Sequence, residues 1–342
     1  MMKKRVLYMD LLACVSALFV VVLHSTLTVF NFRVDRSWLE SLLIQSFFHW
    51  PVPIFFMLSG ANLLSYRERY STSTFFKKRI KRVLIPFLIW SFIWAVFNYL
   101  KGWMPDFSIK HIAKLFLYNN IQNIFWFFYT ILGIYLCIPI LSLIAKKENK
   151  KLIQYFIVLC LLQTGVIPIV FGMAQQPVPW YTSLPLVGGF LSYVLTGWYL
   201  VTFSINKKMR YTIYLLGFIS GIAISIGTYY FSLPTKQLNQ LFFEYNSIFV
   251  YFLSVAVFVL FQSIKWDSLI TPKLTRWLTI ISSTSFGVYI IHFFVIIELD
   301  RYFHVDNTSL YYMTVHPVIV FAISSLTVYF MKRMPLIKHI MP

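Results

Sequence analysis

Long apolar runs alternate with short basic clusters along the whole chain, and this alternation restricts the fold more than any other feature. A helix needs about 20 mostly apolar residues to cross a bilayer. Charged residues make up 12% of the chain, about half of their usual share in soluble domains. We therefore predict an all-α integral membrane protein with about ten transmembrane helices. The runs lie at roughly 6–30, 40–65, 83–101, 124–145, 152–173, 185–205, 211–231, 245–264, 277–299 and 312–331.

The distribution of lysine and arginine predicts the orientation of these helices. If the N-terminus is cytoplasmic, 23 of the 30 lysines and arginines fall in cytoplasmic segments and 7 in outer ones. Cytoplasmic loops carry this excess in membrane proteins, so both termini are predicted inside. The same clusters account for the net charge of +19. They fit anionic lipids at the cytoplasmic face, and nucleic acid is not predicted as a partner.

The sequence predicts a single domain. No Pro-, Gly- or Ser-rich linker divides the chain, and the tenth run ends close to Pro342. We expect a single transmembrane domain over residues 1–342 with no appended soluble domain.

The first run, Val6 to Phe30, carries two ionisable residues that are costly in hydrocarbon. Asp10 and His24 are 14 residues apart, which is about 21 Å along a helix. One would lie near each face of the membrane. Ionisable residues inside a span are functional candidates by default.

Four of the seven histidines fall in the outer half of the predicted membrane, on four different runs: His24, His49, His292 and His316. A neutral imidazole can take a proton from a hydroxyl and later return it, which suits acyl transfer. The same cluster suits a proton relay in a transporter, and each histidine alone also fits a core position. The histidines are too dispersed to predict a metal site, and the three cysteines lie inside apolar runs.

The strongest cytoplasmic feature is the segment from Tyr66 to Arg82, which holds seven cations and one acid. An anchor on anionic lipids explains part of this charge. Arg79 and Arg82, three residues apart beside Lys78, would share a helix face and form a clamp for phosphates. A nucleotide-bearing donor fits that clamp, whereas no P-loop sequence is present.

Three local expectations concern the shape of the helices. Pro51 and Pro53 should kink or break the second run. The small residues at 59–61 allow a close helix approach. Residues 109–118 have helical apolar spacing beside basic residues and predict an amphipathic surface helix.

Four stretches together resemble the membrane acyltransferase-3 family, polytopic O-acyltransferases of bacterial surface glycans. Their order and spacing also fit that family, and the resemblance runs over most of the chain. The stretches are YMDLLACVSALFVVVLHS (8–25), PIFFMLSGANLL with FFKKRIKRVLIPFLIW (53–64 and 75–90), WFFYTILGIYLCIPIL (126–141) and SFGVYIIHFF (285–294).

The resemblance implies ten core helices, a cytoplasmic acyl-CoA donor, usually acetyl-CoA, and a location in the bacterial cell membrane. It implies a catalytic role for His24, a donor role for the motif from Arg79 to Arg82, and a further motif at His292. The chain departs from the family at Ala13, where many members have an arginine.

We therefore expect a membrane O-acyltransferase that moves an acetyl group from acetyl-CoA to a hydroxyl of a surface or lipid-linked glycan. His24 would act as general base or carry the acyl group, and His49 or His292 would orient it or stabilise the oxyanion. The alternative is a polysaccharide exporter or flippase-like transporter without acyl transfer, and a third is a non-enzymatic partner in a synthesis complex. The residues expected to bind the donor are Arg79, Arg82, Lys78 and Asp10.

Overall fold

The structure is a computed structural model that describes residues 6–184, 188–335, 337–338 and 340–341. These residues are helical over most of their length and contain no strand, which confirms the all-α fold class. The α-helices are α1 (Leu7–His24), α2 (Arg36–Phe48), α3 (Pro51–Leu63), α4 (Thr72–Arg79), α5 (Ile85–Leu100), α6 (Ile109–Leu117), α7 (Trp126–Ile144), α8 (Lys150–Leu161), α9 (Ile167–Met173), α10 (Leu191–Thr202), α11 (Lys207–Ser232), α12 (Ile248–Ser263), α13 (Trp266–Leu269), α14 (Pro272–Phe303), α15 (Leu310–Thr314) and α16 (His316–Met331).

Eight helical segments in the described part of the chain are long and apolar enough to cross a membrane. Two of the ten predicted spans appear instead as shorter helices, α10 with 12 residues and α12 with 16. Residues 185–187 of the sixth predicted span lie outside the described residues. The long segments are Leu7–His24, Arg36–Glu68, Thr72–Leu100, Asn123–Ile144, Lys147–Met173, Lys207–Ser232, Pro272–Phe303 and Leu310–Met331.

The chain forms two compact units. The first contains Met1–Leu63 and Ile144–Leu326, and the second contains Leu64–Leu143 and Thr327–Pro342. In the second unit the aromatic ring of Phe87 on α5 stacks on Phe128 of α7 at 4.8 Å. The predicted amphipathic helix is confirmed as α6, which has no buried residue.

Helix α1 packs among several helices of the first unit. Its direction is opposite to that of α3, because Phe19 lies 5.3 Å from Trp50 while Met9 contacts Asn62. Its direction is the same as that of α14, because Asp10 near the start of α1 contacts Ser282 while His24 at its end contacts His292. In a membrane the lipid is as apolar as the side chains, so such contacts hold helices together by close packing and by polar links.

The second span is interrupted where the prolines predict. Helix α2 ends at Phe48 and α3 begins at Pro51, so His49 and Trp50 form the break. Pro51 has no N–H to continue the helix, and its ring disfavours the helical conformation of the preceding residue.

Two five-residue π-helical turns, Ile80–Leu84 and Leu162–Val166, share the same position relative to a proline. Each ends two residues before it, at Pro86 and at Pro168. A proline inside a helix clashes with the carbonyl four residues earlier, and the wider π-turn makes room for it.

Glycines bring α3 and α10 into direct backbone contact. A Cβ atom at Gly60 would overlap the carbonyl oxygen of Val194, and one at Gly197 would overlap that of Met57. The expected close approach at residues 59–61 is therefore present at Gly60. The stacked rings of Phe56 and Phe190 show that both helices run in the same direction.

We predict that Gly60→Ala or Gly197→Ala lowers the free energy of unfolding by about 1–3 kcal/mol, because rigid backbone must shift to admit the methyl group. The matched control is Gly133→Ala in α7, where a Cβ meets nothing within 4 Å. Thermal unfolding in detergent measures the difference. Equal midpoints for all three variants would contradict the close packing.

Candidate active site

His24 is the last residue of α1 and lies at an ordered helix end. The hydroxyl of Thr26 donates hydrogen bonds to the carbonyl oxygens of Val22 and Leu23, at 3.0 and 3.1 Å. The N–H groups of Ser25 and Thr26 donate to the same two oxygens, at 3.1 and 3.3 Å, so both carbonyls of this helix end are satisfied. The turn that carries the His24 imidazole is thereby held in place.

The structure brings His24 into contact with His292 of α14. The distance from His24 Nδ1 to His292 Nε2 is 2.8 Å. The two rings are nearly parallel, with their centroids 4.9 Å apart. The edge of Phe293 closes one side of the pair, 5.0 Å from the His24 ring.

The backbone of α14 determines which nitrogen of each imidazole carries the proton. His292 Nδ1 lies 3.0 Å from the carbonyl oxygen of Val288, which can only accept. In the neutral ring Nδ1 therefore donates, and Nε2 is the acceptor. His24 Nδ1 must then donate to His292, which leaves the lone pair of a neutral His24 on Nε2. These tautomers are assigned from the hydrogen-bond network.

The Nε2 atom of His24 has no hydrogen-bond partner among the residues that the structure describes. His292 is fully buried, whereas the side chain of His24 is partly exposed. The pair thus has a buried member that sets the tautomer and an accessible member with a free lone pair. This is the arrangement that a general base requires.

A polar stripe on α2 fastens the end of α1. Ser41 donates from its hydroxyl to the carbonyl oxygen of Thr26 at 2.6 Å and accepts from the N–H of Val29 at 3.1 Å. Gln45, one turn later, donates to the carbonyl oxygen of Leu23 at 2.7 Å. Both side chains are buried, so they supply partners where water is excluded.

His49 is the next member of this stripe and is 6% exposed. Its ring lies 4.1 Å from the ring of Phe243 and 4.2 Å from that of Tyr245. Nδ1 is buried without a hydrogen-bond partner. Electrostatic interaction links His49 to His24, so the three predicted catalytic histidines lie in one region of the first unit.

Asp10 lies at the opposite end of α1 from His24. The hydroxyl of Ser282 on α14 donates to the Asp10 carboxylate at 2.9 Å. One turn further along, the Cys14 thiol lies 3.5 Å from the carbonyl oxygen of Leu278. Polar contacts therefore join α1 to α14 at both ends of α1.

His316, the fourth histidine of the predicted outer group, has a separate environment. Its Nε2 lies 3.3 Å from the Asp300 carboxylate, and its ring stacks on Tyr312 at 4.4 Å. The Tyr312 hydroxyl donates to the same carboxylate at 2.7 Å. The structure thus pairs His316 with an acid.

The basic segment lies in the second unit, where Ser71 caps α4 through the N–H of Thr74. The guanidinium of Arg79 lies 5.8 Å from the ring of Phe75 and 5.5 Å from that of Tyr135. Its Nε is buried without a hydrogen-bond partner. Lys78 lies over the ring of Tyr70 at 3.8 Å. These rings hold the cations in fixed positions.

The π-turn that starts at Ile80 changes the predicted relation between Arg79 and Arg82. Three residues in a wider turn no longer fall on the same face as they do in an α-helix. Arg79 is partly buried against aromatic rings, whereas Arg82 is exposed. Arg82 lies near Lys332, whose pKa is lowered by burial and by the charge of Arg82.

Sequence reasoning did not single out Ser41, Gln45 or Tyr245. The spacing of four residues from Ser41 to Gln45 to His49 was available as a helical polar stripe. Within the described residues no group of three or more His, Cys, Asp or Glu side chains is arranged to hold a metal ion.

A family model described as an acyltransferase domain matches residues 6–332, nearly the whole chain. Searches of curated proteins and of solved structures return no match.

We predict that Gln45→Leu lowers the free energy of unfolding by about 1–3 kcal/mol, because it leaves the Leu23 carbonyl and the Thr26 hydroxyl with fewer buried partners. The matched control is Gln154→Leu, whose amide donates to the hydroxyl of Tyr199 at an exposed site. Thermal unfolding compares the two. Equal decreases in the unfolding midpoint of the two variants would show that the polar stripe does not stabilise the end of α1.

Proposed function

The chain belongs to the acyltransferase 3 family, and from this premise we propose that it transfers an acyl group from acyl-CoA to a hydroxyl of a glycan. The observation that carries the proposal is the order of hydrogen bonds from Val288 through His292 to His24. This order leaves a basic nitrogen on His24 that is open to a substrate.

In the proposed reaction the acceptor hydroxyl loses its proton to His24 Nε2 as its oxygen attacks the thioester carbonyl carbon. The carbonyl π electrons move to oxygen and form a tetrahedral intermediate. When the intermediate collapses, the C–S bond breaks, and the thiolate of coenzyme A takes the proton back from His24. One imidazole thus serves as base and then as acid.

His292 acts in this proposal as a positioning residue. It accepts from His24 Nδ1, keeps the lone pair on His24 Nε2, and stabilises the imidazolium that forms during the reaction. A ring held by a backbone carbonyl cannot turn without losing that bond.

The proposed donor is acetyl-CoA, with its phosphates bound by Arg79, Arg82 and Lys78 of the second unit. The N–H groups of an arginine guanidinium match the geometry of phosphate oxygens. The N–H at Nε of Arg79 is buried and has no hydrogen-bond partner. The neighbouring charges of Arg82 and Lys332 favour an anion. Asp10 of the first unit, whose carboxylate accepts from Ser282, remains a separate prediction as a donor contact.

We propose a hydroxyl of a surface or lipid-linked glycan as acceptor and the bacterial cytoplasmic membrane as location, both on the family resemblance. We also propose ten crossings with both termini cytoplasmic. The shared direction of α3 and α10 supports α10 as a crossing, since three long apolar helices separate them. The shared direction of α1 and α14 supports α12 as a further crossing.

We predict that His24→Ala lowers acyl transfer by about 10²- to 10⁴-fold, the usual contribution of a general base. The assay uses the full chain in lipid nanodiscs, labelled acetyl-CoA, and a glycolipid extract of the source cells. Label in the glycan and free thiol report the two products. Full activity of a folded His24→Ala variant would refute the proposed mechanism.

Two variants of His292 serve as matched controls for the role of the tautomer. His292→Phe keeps a ring but removes the acceptor for His24 Nδ1, so we expect a loss of about 10- to 100-fold, as for other orienting partners. His292→Gln, which can accept through its amide oxygen, should recover part of the rate. Ring ¹⁵N chemical shifts should show the proton of His24 on Nδ1 in the wild type and a tautomer mixture in His292→Phe.

We predict that Arg79→Ala raises the dissociation constant of coenzyme A by about 10- to 100-fold, as for loss of a charged hydrogen bond. Lys208→Ala, which removes an exposed cation in the first unit, is the control for unspecific charge effects. Calorimetric titration measures both. Equal effects would reject a specific clamp, and the absence of any coenzyme A binding by the wild type would favour the exporter alternative.

A further inference from the structure

The polar stripe on α2 has one member without a partner. Ser41 and Gln45 lie on one face of α2, and His49 follows Gln45 by four residues, directly after the helix end. The first two bind carbonyl oxygens at the end of α1, at 2.6 and 2.7 Å. No hydrogen bond to the side chain of His49 exists within the part of the chain that the structure describes, although the residue is only 6% exposed.

The surroundings of His49 hold the ring but do not satisfy it. Phe243 and Tyr245 pack their rings against the imidazole at 4.1 and 4.2 Å. These contacts fix its orientation without supplying a donor or an acceptor. Buried polar side chains nearly always have partners, and each exception requires an explanation such as catalysis. The missing partner of His49 is therefore evidence for a ligand.

The protonated nitrogen can be assigned by elimination. Nδ1 is fully shielded and has no partner. A shielded N–H would lose a hydrogen bond that it makes in water, and orphaned donors are rarer than under-used acceptors. The neutral ring therefore carries its proton on Nε2. This atom can donate to a molecule that enters the site.

Three helices begin around His49. Helix α3 starts at Pro51, two residues after it, and α12 starts at Ile248, three residues after Tyr245. The hydroxyl of Tyr193, in the first turn of α10, donates to the Tyr245 carbonyl at 2.6 Å. A helix start carries partial positive charge, which favours an anion nearby.

The starts of α10 and α12 pack beside the interior of long apolar helical segments. Phe190, just before α10, stacks on Phe56 inside α3 at 4.5 Å. A Cβ at Gly165, inside the long apolar segment Lys147–Met173, would lie 3.1 Å from the N atom of Ile248. Helices that start at such depth occur in membrane proteins where their N-termini face an anionic group.

His49 is also close to the proposed base. Gln45 holds the Leu23 carbonyl and the Thr26 hydroxyl, which flank His24 in sequence. His49 follows Gln45 by four residues, at the C-terminal end of α2. The two imidazoles are close enough to influence each other electrostatically. A substrate atom next to His24 therefore lies in the same region as His49.

We propose that His49 donates a hydrogen bond to the oxyanion of the tetrahedral intermediate, and that the starts of α3, α10 and α12 add positive potential at the same place. This inference rests on the proposed acyl transfer and adds a catalytic residue to it. As the acceptor oxygen attacks, the carbonyl π electrons become a third oxygen lone pair, which His49 Nε2–H binds. The bond weakens again when the C–S bond breaks.

Two variants separate this role from simple packing. His49→Phe keeps an aromatic ring between Phe243 and Tyr245 but removes the donor, whereas His49→Gln keeps a donor with less ring contact. Loss of one oxyanion donor lowers kcat by about 10²- to 10³-fold. We expect that loss in His49→Phe with an unchanged KM for acetyl-CoA, and partial recovery in His49→Gln. The nanodisc assay with labelled acetyl-CoA and glycolipid extract measures both constants.

The melting temperature is a second measurement, and for His49→Phe we expect it not to fall although kcat falls. His49→Phe removes a buried polar group without a partner, so its melting temperature should equal or exceed that of the wild type. A packing residue would instead lose activity and stability together. Ser46→Ala is the control, because Ser46 is another buried polar residue of α2 with no hydrogen-bond partner. We expect its kcat to be unchanged.

The outcomes distinguish this inference from the proposed function. If the wild type transfers acetyl groups and His24→Ala does not, but His49→Phe keeps the wild-type kcat, the oxyanion role of His49 is refuted and the proposed function stands. A higher rate in His49→Phe than in His49→Gln would refute it as well. Failure of the wild type to transfer any acetyl group would instead refute the proposed function.

Discussion

The hydrogen bond between His24 and His292 is the contact on which the proposed chemistry depends. Its direction follows from the Val288 carbonyl, which accepts from His292 Nδ1 and cannot donate. Main-chain geometry on α14 thus determines the tautomer of a side chain on α1. The tautomer is determined in this way only if α1 and α14 keep their alignment along the chain axis. The hydrogen bond from Ser282 to Asp10 maintains that alignment at the other end of α1.

A bilayer supplies little hydrophobic driving force for helix association, so this register needs other contacts. The glycines of α3 and α10 provide close backbone packing, and the stripe of Ser41 and Gln45 fastens the end of α1. The same stripe ends at the break that Pro51 creates. A proline that interrupts a span therefore also places His49 at the start of a new helix, where its ring has packing but no polar partner.

The helical segments could be predicted from composition and apolar run length, because those properties are local. The break before Pro51 and the close approach at Gly60 were also predictable, since proline and glycine act through their own backbone. The pairing of His24 with His292 was not, because these residues are 268 positions apart and their contact depends on how two remote helices pack. His316 shows the same limit: its predicted membrane depth matched that of His24, yet tertiary packing gives it Asp300 as a partner.

The π-turn after Arg79 shows how one local feature changes the meaning of a motif. The spacing of three residues alone predicts that the guanidinium groups of Arg79 and Arg82 are equivalent and lie on one helix face. Pro86 follows the turn closely, and the wider turn gives the two arginines different surroundings. The Arg79 guanidinium lies 5.8 Å from the ring of Phe75 and 5.5 Å from that of Tyr135, contacts that suit a cation. Arg82 is exposed beside Lys332. The two arginines of the motif are therefore not equivalent, because the π-turn between them leaves one against aromatic rings and the other exposed.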